Sequence, residues 1–146
     1  MTTPSDQLQR FHSAQGEGDR AVYAQALGEL QAGAKQTHWI WFVLPQLRGL
    51  GHSAKAERYG IADLAEARAY LADPLLRQRL EELIAVIAAQ LQRPGQSLPL
   101  LMGGDLDAAK TVSCLTLFAA AGLPSAAALL NQLNRRCHRT QALLQG

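Results

Sequence analysis

Apolar residues return every three or four positions through most of this chain, and that period predicts helices from end to end. Leu8, Phe11 and Ala14 make a first stripe after the start signal Pro4-Ser5-Asp6, and Gly16 and Gly18 end it. Asp19 is placed to cap a second helix on Val22, Tyr23, Ala26, Leu27 and Leu30, which Gly33 stops. Ser53 and Glu57 open a brief helix that Gly60 closes, and Asp63 with Glu66 is a capping box for a helix through Tyr70 and Leu71. Asp73-Pro74 supplies a cap and a first-turn proline for a run with Leu76, Leu80, Leu83, Ile84, Ile87 and Leu91 on one face. After a turn-rich stretch from Arg93 to Pro99, Gly103-Gly104-Asp105 ends a short apolar piece and starts a helix from Leu106 to about Ala121. That helix is apolar on nearly every side, which places it at the centre of the molecule. Gly122, Leu123 and Pro124 break it, and Ser125 to about Cys137 reads as a last amphipathic helix with a frayed tail beyond.

One segment departs from this rhythm. His38-Trp39-Ile40-Trp41-Phe42-Val43-Leu44 is a dense apolar run before Pro45, and its period does not separate a buried helical turn from a strand. A strand needs partners, and no other segment alternates, so a short buried helix is expected, followed by a loop from Pro45 to Gly51. Without alternating strand and helix signals the parallel-sheet architectures are disfavoured. The expectation is an all-α, compact single-domain bundle of about seven helices over residues 1–146, with its core within about 5–135.

Composition narrows the partners. The balance of 14 basic and 12 acidic residues gives a net charge of only +2, too small for the basic face that duplex nucleic acid requires. Arg135, Arg136, His138 and Arg139 are the nearest thing to a cluster and read as a solvated helix end. The amino terminus has neither the basic nor the apolar region of a signal peptide, and no apolar run reaches the roughly 20 residues that span a bilayer. A cytoplasmic location without membrane attachment is expected. The two cysteines, Cys114 and Cys137, lack metal-ligand or redox-motif spacing, so neither a structural metal nor a cofactor is implied. Cys114 lies in an apolar run and reads as core. Cys137 lies among cations, where an ordinary side chain or a partly exposed thiol of lowered pKa both fit.

Candidate chemistry gathers between Gly33 and Tyr59, which holds both tryptophans and two of the four histidines. Lys35 can hold an anion, Trp39 can stack on a planar ring, and Gln46, Ser53 and Tyr59 can add hydrogen bonds. His38 lies beside Lys35 near a helix start, and both neighbours favour the neutral imidazole that accepts a proton. From the later helix Asp107, Lys110 and Ser113 fall three or four residues apart on one face. These polar groups inside an apolar helix point either at each other or at a ligand.

The same residues carry a resemblance. GxKxxHWxWFxxPQxxGLGxSxxAxxYxI over Gly33 to Ile61, EAxxYL over Glu66 to Leu71, PxLxxRL over Pro74 to Leu80 and DxxKxxSxxTLF over Asp107 to Phe118 are similar to the domain-of-unknown-function family 1810. The resemblance runs from about Leu8 to Leu133, with exchanges at Ile40, Leu44 and Cys114 that are apolar or small. It implies a small all-helical single-domain protein and no particular chemistry.

The leading expectation is therefore a protein that binds, or binds and hydrolyses, a small anionic ligand resembling a nucleotide or ADP-ribose. Its ligand-binding residues would be Lys35, Trp39, Gln46, Ser53, Tyr59, Lys110 and Ser113, with His38 or Asp107 as the catalytic base. The rival is a protein-interaction module using Trp41, Arg48 and the Pro45 to Gly51 loop, without a small-molecule activity. A third reading makes the whole motif a folding nucleus.

Overall fold

Side-chain caps set where the helices begin. Asp63 accepts from the Glu66 N–H at 2.9 Å, Asp73 accepts from Leu75 and Leu76 N–H at 3.1 Å, and Ser53 and Ser97 accept from Ala56 and Leu100 N–H. Each satisfies donors that the first helical turn leaves unpaired. A computed structural model of the chain describes residues 4–16 and 22–145. The proposed Asp19 cap and the Gly18 stop lie outside the described residues.

The described residues form ten helices rather than about seven: α1 (Pro4–Gly16), α2 (Val22–Gln31), α3 (Ile40–Val43), α4 (Ala54–Tyr59), α5 (Leu64–Ala72), α6 (Pro74–Gln90), α7 (Leu98–Met102), α8 (Asp105–Ala120), α9 (Pro124–Leu133) and α10 (His138–Gln145). Two of these were not expected as helices. The first, α7, is the short apolar piece before Gly103, too brief to show a period. The second, α10, is the supposed frayed tail, which buries Thr140 and packs on α8. Correspondingly α9 stops at Leu133 instead of Cys137. Asn134 takes the left-handed conformation at φ 54°, and the Arg135 N–H reaches the Leu130 carbonyl, a helix-ending pattern that turns the chain before α10.

Every residue of α8 from Thr111 to Phe118 is buried, so this helix is the axis of the core, with α3, α5, α7, α9 and α10 packed around it. A second layer is α6 against α2, α5 and α9. Aromatic edges link the layers: Phe11 meets Tyr70 edge-on at 5.2 Å, and Tyr70 meets Phe118 at 5.1 Å.

HWIWFVL does form a short helix, and what fixes it is a residue outside the motif. On α2, Glu29 accepts from the N–H groups of Gln36 and Thr37, from the Thr37 hydroxyl at 2.6 Å, and from the Trp39 indole at 2.8 Å. Burial works against its charge, but these hydrogen bonds, the Thr37 hydroxyl foremost, hold its carboxyl at about 2. Gln15 does the same from α1, donating to the Phe42 carbonyl and to Tyr70.

The Pro45 to Gly51 loop is fastened by a single bridge, Leu47 to Ile61, in which Arg48 N–H reaches Ile61 O at 2.8 Å and Ile61 N–H reaches Gln46 O at 2.9 Å. Gly60 sits under this bridge. A Cβ there would lie 2.6 Å from Ala56 O and 2.9 Å from Arg48 Cα, so only glycine lets the two strands of chain meet.

Candidate functional site

Three stretches of chain enclose a cleft of about 480 Å³. The first wall is one face of α8, where Leu106, Ala109, Lys110 and Ser113 recur at helical spacing. The second is Trp41 and Gln46 with the loop from Leu50 to Ser53. The third is the turn between α9 and α10 with the first residues of α10, carrying Arg135, Arg136, Cys137 and Arg139. A recess with room for about one water continues inward between Trp41, Gln46, Tyr59 and Lys110.

The charge of this cleft has one sign. Lys110 and the three arginines line it, and among the described residues no carboxylate does. The guanidinium groups of Arg135 and Arg139 have no hydrogen-bond or ion-pair partner among the described residues, whereas Arg136 donates to Asn131 and to the Arg135 carbonyl. Trp41 draws one further cation in: the Lys55 ammonium group lies 5.0 Å from its ring centre, beside that of Lys110 at 4.9 Å. With its π system engaged by ammonium groups, Trp41 concentrates positive charge rather than offering a bare stacking surface. The opposite character comes from Leu50, Ala109 and Leu106, the last 71% exposed at the rim.

Gln46, Ser53, Lys110 and Ser113, four of the seven expected ligand-binding residues, thus line one cleft, and Tyr59 lines its inner recess. The Gln46 side chain makes no hydrogen bond to another described residue, and Ser53 uses its oxygen as the α4 cap while keeping a free O–H.

Lys35 and Trp39 are committed elsewhere. The Lys35 side chain is 6% exposed, and its ammonium group donates to Thr37 O at 2.6 Å and pairs with Asp107 at 2.9 Å. It also lies 5.0 Å from the Trp39 ring centre, and its backbone N–H reaches Leu101 O. Together these bonds tie the segment before α3 to α7 and to the start of α8. Asp107, one candidate base, is held between Lys35 and, at 3.8 Å, Lys110. His38, the other, is exposed, makes no hydrogen bond or ion pair to a described residue, and does not line the cleft.

Cys137 enters the cleft in a way the basic cluster did not suggest. Its N–H donates to Thr116 of α8 at 3.0 Å and its carbonyl accepts from Gln141, so it is the N-cap of α10. Ser113 Oγ lies 3.2 Å from its sulfur and Thr140 N–H points to it at 3.5 Å. Burial opposes the charged form, but the donors from Ser113, Thr140 and Arg139 outweigh it and bring the thiol below its ordinary range. Cys114, one residue from Ser113, is fully buried, and burial pushes its thiol well up.

Against known proteins, a family model described as "Protein of unknown function (DUF1810)" matches residues 5–142. A solved structure, that of the conserved hypothetical protein Rv1873 from Mycobacterium tuberculosis, is similar at 43% identity, with 95% of this chain and 96% of that chain covered and a TM-score of 0.85. No curated protein matches. A match over nearly the whole chain, with the motif residues accounted for by the fold around α3 and α8, means that this protein belongs to the DUF1810 family.

Proposed function

We propose that this protein binds a small organic anion of nucleotide-like size in the cleft between α8, the loop from Leu50 to Ser53, and the turn before α10. The observation that carries the reading is the lining itself: Lys110, Arg135, Arg136 and Arg139, with no carboxylate among the described residues, beside the apolar Leu50, Leu106 and Ala109. Cations gathered in a concavity with apolar walls focus field and raise the local concentration of anions. A volume near 480 Å³ is within the range of small-molecule sites, roughly 300–1,000 Å³.

In this reading the phosphate or carboxylate of the ligand meets Arg135, Arg139 and Lys110. Its body rests on Leu50, Ala109 and Leu106, and Gln46, Ser53 and Ser113 supply neutral hydrogen bonds. Lys35 and Trp39 act at one remove, by fixing the α3 and α8 walls. The reading is of binding, and no reaction step is assigned to His38 or Asp107, because neither lines the cleft. The docking alternative draws less support. Arg48 has committed its guanidinium to the Glu57 and Gly60 carbonyls, and Trp41 walls a concavity.

Thermal unfolding with adenosine, AMP, ADP-ribose and inorganic phosphate tests this. A ligand at about 100 times its Kd stabilises by about 2.7 kcal/mol, a rise in Tm of several degrees. AMP or ADP-ribose should raise Tm and adenosine should not. Lys110→Gln and Arg135→Gln should each remove most of the rise, while His38→Ala keeps it. No rise with any of the anions, or an equal rise in the Lys110→Gln/Arg135→Gln double variant, would end the proposal.

A further inference from the structure

The cleft also contains a nucleophile that ligand binding does not use. Cys137 is the accessible cysteine of the two, since Cys114 is fully buried within α8. Its sulfur faces donors: the Ser113 hydroxyl at 3.2 Å, whose one proton is shared with the Ala109 carbonyl at 3.1 Å, and the backbone N–H groups of Thr140 and Arg139. The Thr140 side chain is completely buried and its hydroxyl has no hydrogen-bond partner among the described residues, so a charged sulfur beside it would offer an acceptor that it lacks. A neutral thiol gives up one of its positions to its own hydrogen. A thiolate can accept from the whole set, and it sits at the positive end of the eight-residue α10.

Burial opposes the charge, but no acidic side chain among the described residues lines the cleft with this sulfur. The titratable groups that line the cleft with it are Lys110 from α8, His52 from the loop before α4, and Arg135, Arg136 and Arg139 from the turn and first residues of α10. The sulfur is thus reached through a cationic cleft wide enough for a small molecule, which is the independent sign of a co-reactant beyond the cysteine itself.

We propose that Cys137 is a modification site, forming a mixed disulfide with an anionic low-molecular-weight disulfide drawn into the cleft. The Cys137 thiolate attacks the nearer sulfur of that disulfide and a new S–S bond forms as the original one breaks. The bonding pair leaves on the farther sulfur, which departs as a thiolate and is protonated by water according to its own pKa. Cys137 is oxidised and half of the disulfide is reduced, so no other oxidant is needed. Buried Cys114 is not placed to resolve the adduct, which therefore persists until an external thiol attacks it. The inference rests on the anion-attracting cleft proposed above.

The test uses the full chain. Native protein is incubated with glutathione disulfide, which is anionic, or cystamine disulfide, which is dicationic, and followed by intact mass. One adduct should form, at Cys137, with a second only after denaturation. Glutathione disulfide should react roughly tenfold or more faster than cystamine, a preference lost at high salt and in Arg135→Gln/Arg139→Gln. Neutral iodoacetamide reads the thiolate separately. Its rate should reach half-maximum below the ordinary thiol value of about 8.5, and this midpoint should rise in Ser113→Ala but not in Ser113→Thr, which keeps the hydroxyl. An ordinary alkylation profile alongside a thermal shift with AMP overturns this inference alone. A low profile with no preference for the anionic disulfide overturns it together with the anion-binding reading.

Discussion

Lys35 and His38 sit three residues apart in the most distinctive motif of the chain and have opposite fates. The Lys35 ammonium group is enclosed by Asp107, the Thr37 carbonyl and the Trp39 ring, so its truncation leaves Asp107 partly buried with only the longer contact to Lys110. Removing one partner of a buried pair costs about 3–5 kcal/mol, and the remaining cation puts Lys35→Ala near the lower end of that range. His38→Ala removes an exposed ring without a bonded partner and should stay within about 0.5 kcal/mol. Urea unfolding midpoints at equal m-values check both. A large loss from His38→Ala, or none from Lys35→Ala, would show that the division between anchoring and free residues drawn here is misplaced.

At the scale of elements, the fixed point is the crossing of the Pro45 to Gly51 loop with the chain after α4. A methyl group on Gly60 would press on the Ala56 carbonyl and the Arg48 backbone, neither of which is the flexible end of a side chain. Gly60→Ala should therefore destabilise by about 1–3 kcal/mol through forced backbone displacement. It should also weaken any ligand response, because the loop from Leu50 to Ser53 is one wall of the cleft. Thermal melts with and without AMP separate the two effects, and a variant as stable as wild type would rule out the close approach. This element also marks how far the sequence could be read. The Asp63 and Asp73 caps, the apolar α8 and the shared face of Lys110 and Ser113 were legible because they depend on neighbours within a turn or two. Glu29, Gln15 and the burial of Lys35 were not, because their partners are backbone groups and side chains brought close only by the fold. The α10 helix was hidden by its polar composition. The basic residues before it read as a solvated end, since nothing local announces that Thr116 holds the Cys137 N–H and folds that segment over α8.

For the molecule as a whole, two carboxylates with partners far along the chain, Glu29 with Thr37 and Trp39 and Asp73 with His12, set how it responds to acid. Glu29 is held at about 2 against an ordinary 4.5. Asp73 is also lowered: burial opposes its charge, but the His12 ring at 2.7 Å and the N–H groups opening α6 outweigh it. Both carboxyls are more acidic folded than unfolded, so the unfolded chain takes up protons first as pH falls. The stability they contribute is complete above pH 4.5 and drains away below it, the Glu29 share continuing down toward pH 2. Glu29→Gln removes that share and disturbs the bonds to Thr37 and Trp39, costing about 2 kcal/mol at neutral pH, as expected for hydrogen bonds to a charged acceptor. Asp73→Asn keeps a side-chain acceptor for the α6 cap, so its loss reports the charge more than the cap. Urea midpoints of the three proteins from pH 7 to pH 3 should start apart and converge in acid, with both variants flatter than wild type. Curves that run parallel across that range would mean that these carboxylates, however well bonded, do not hold the helices around α8 together through their charge.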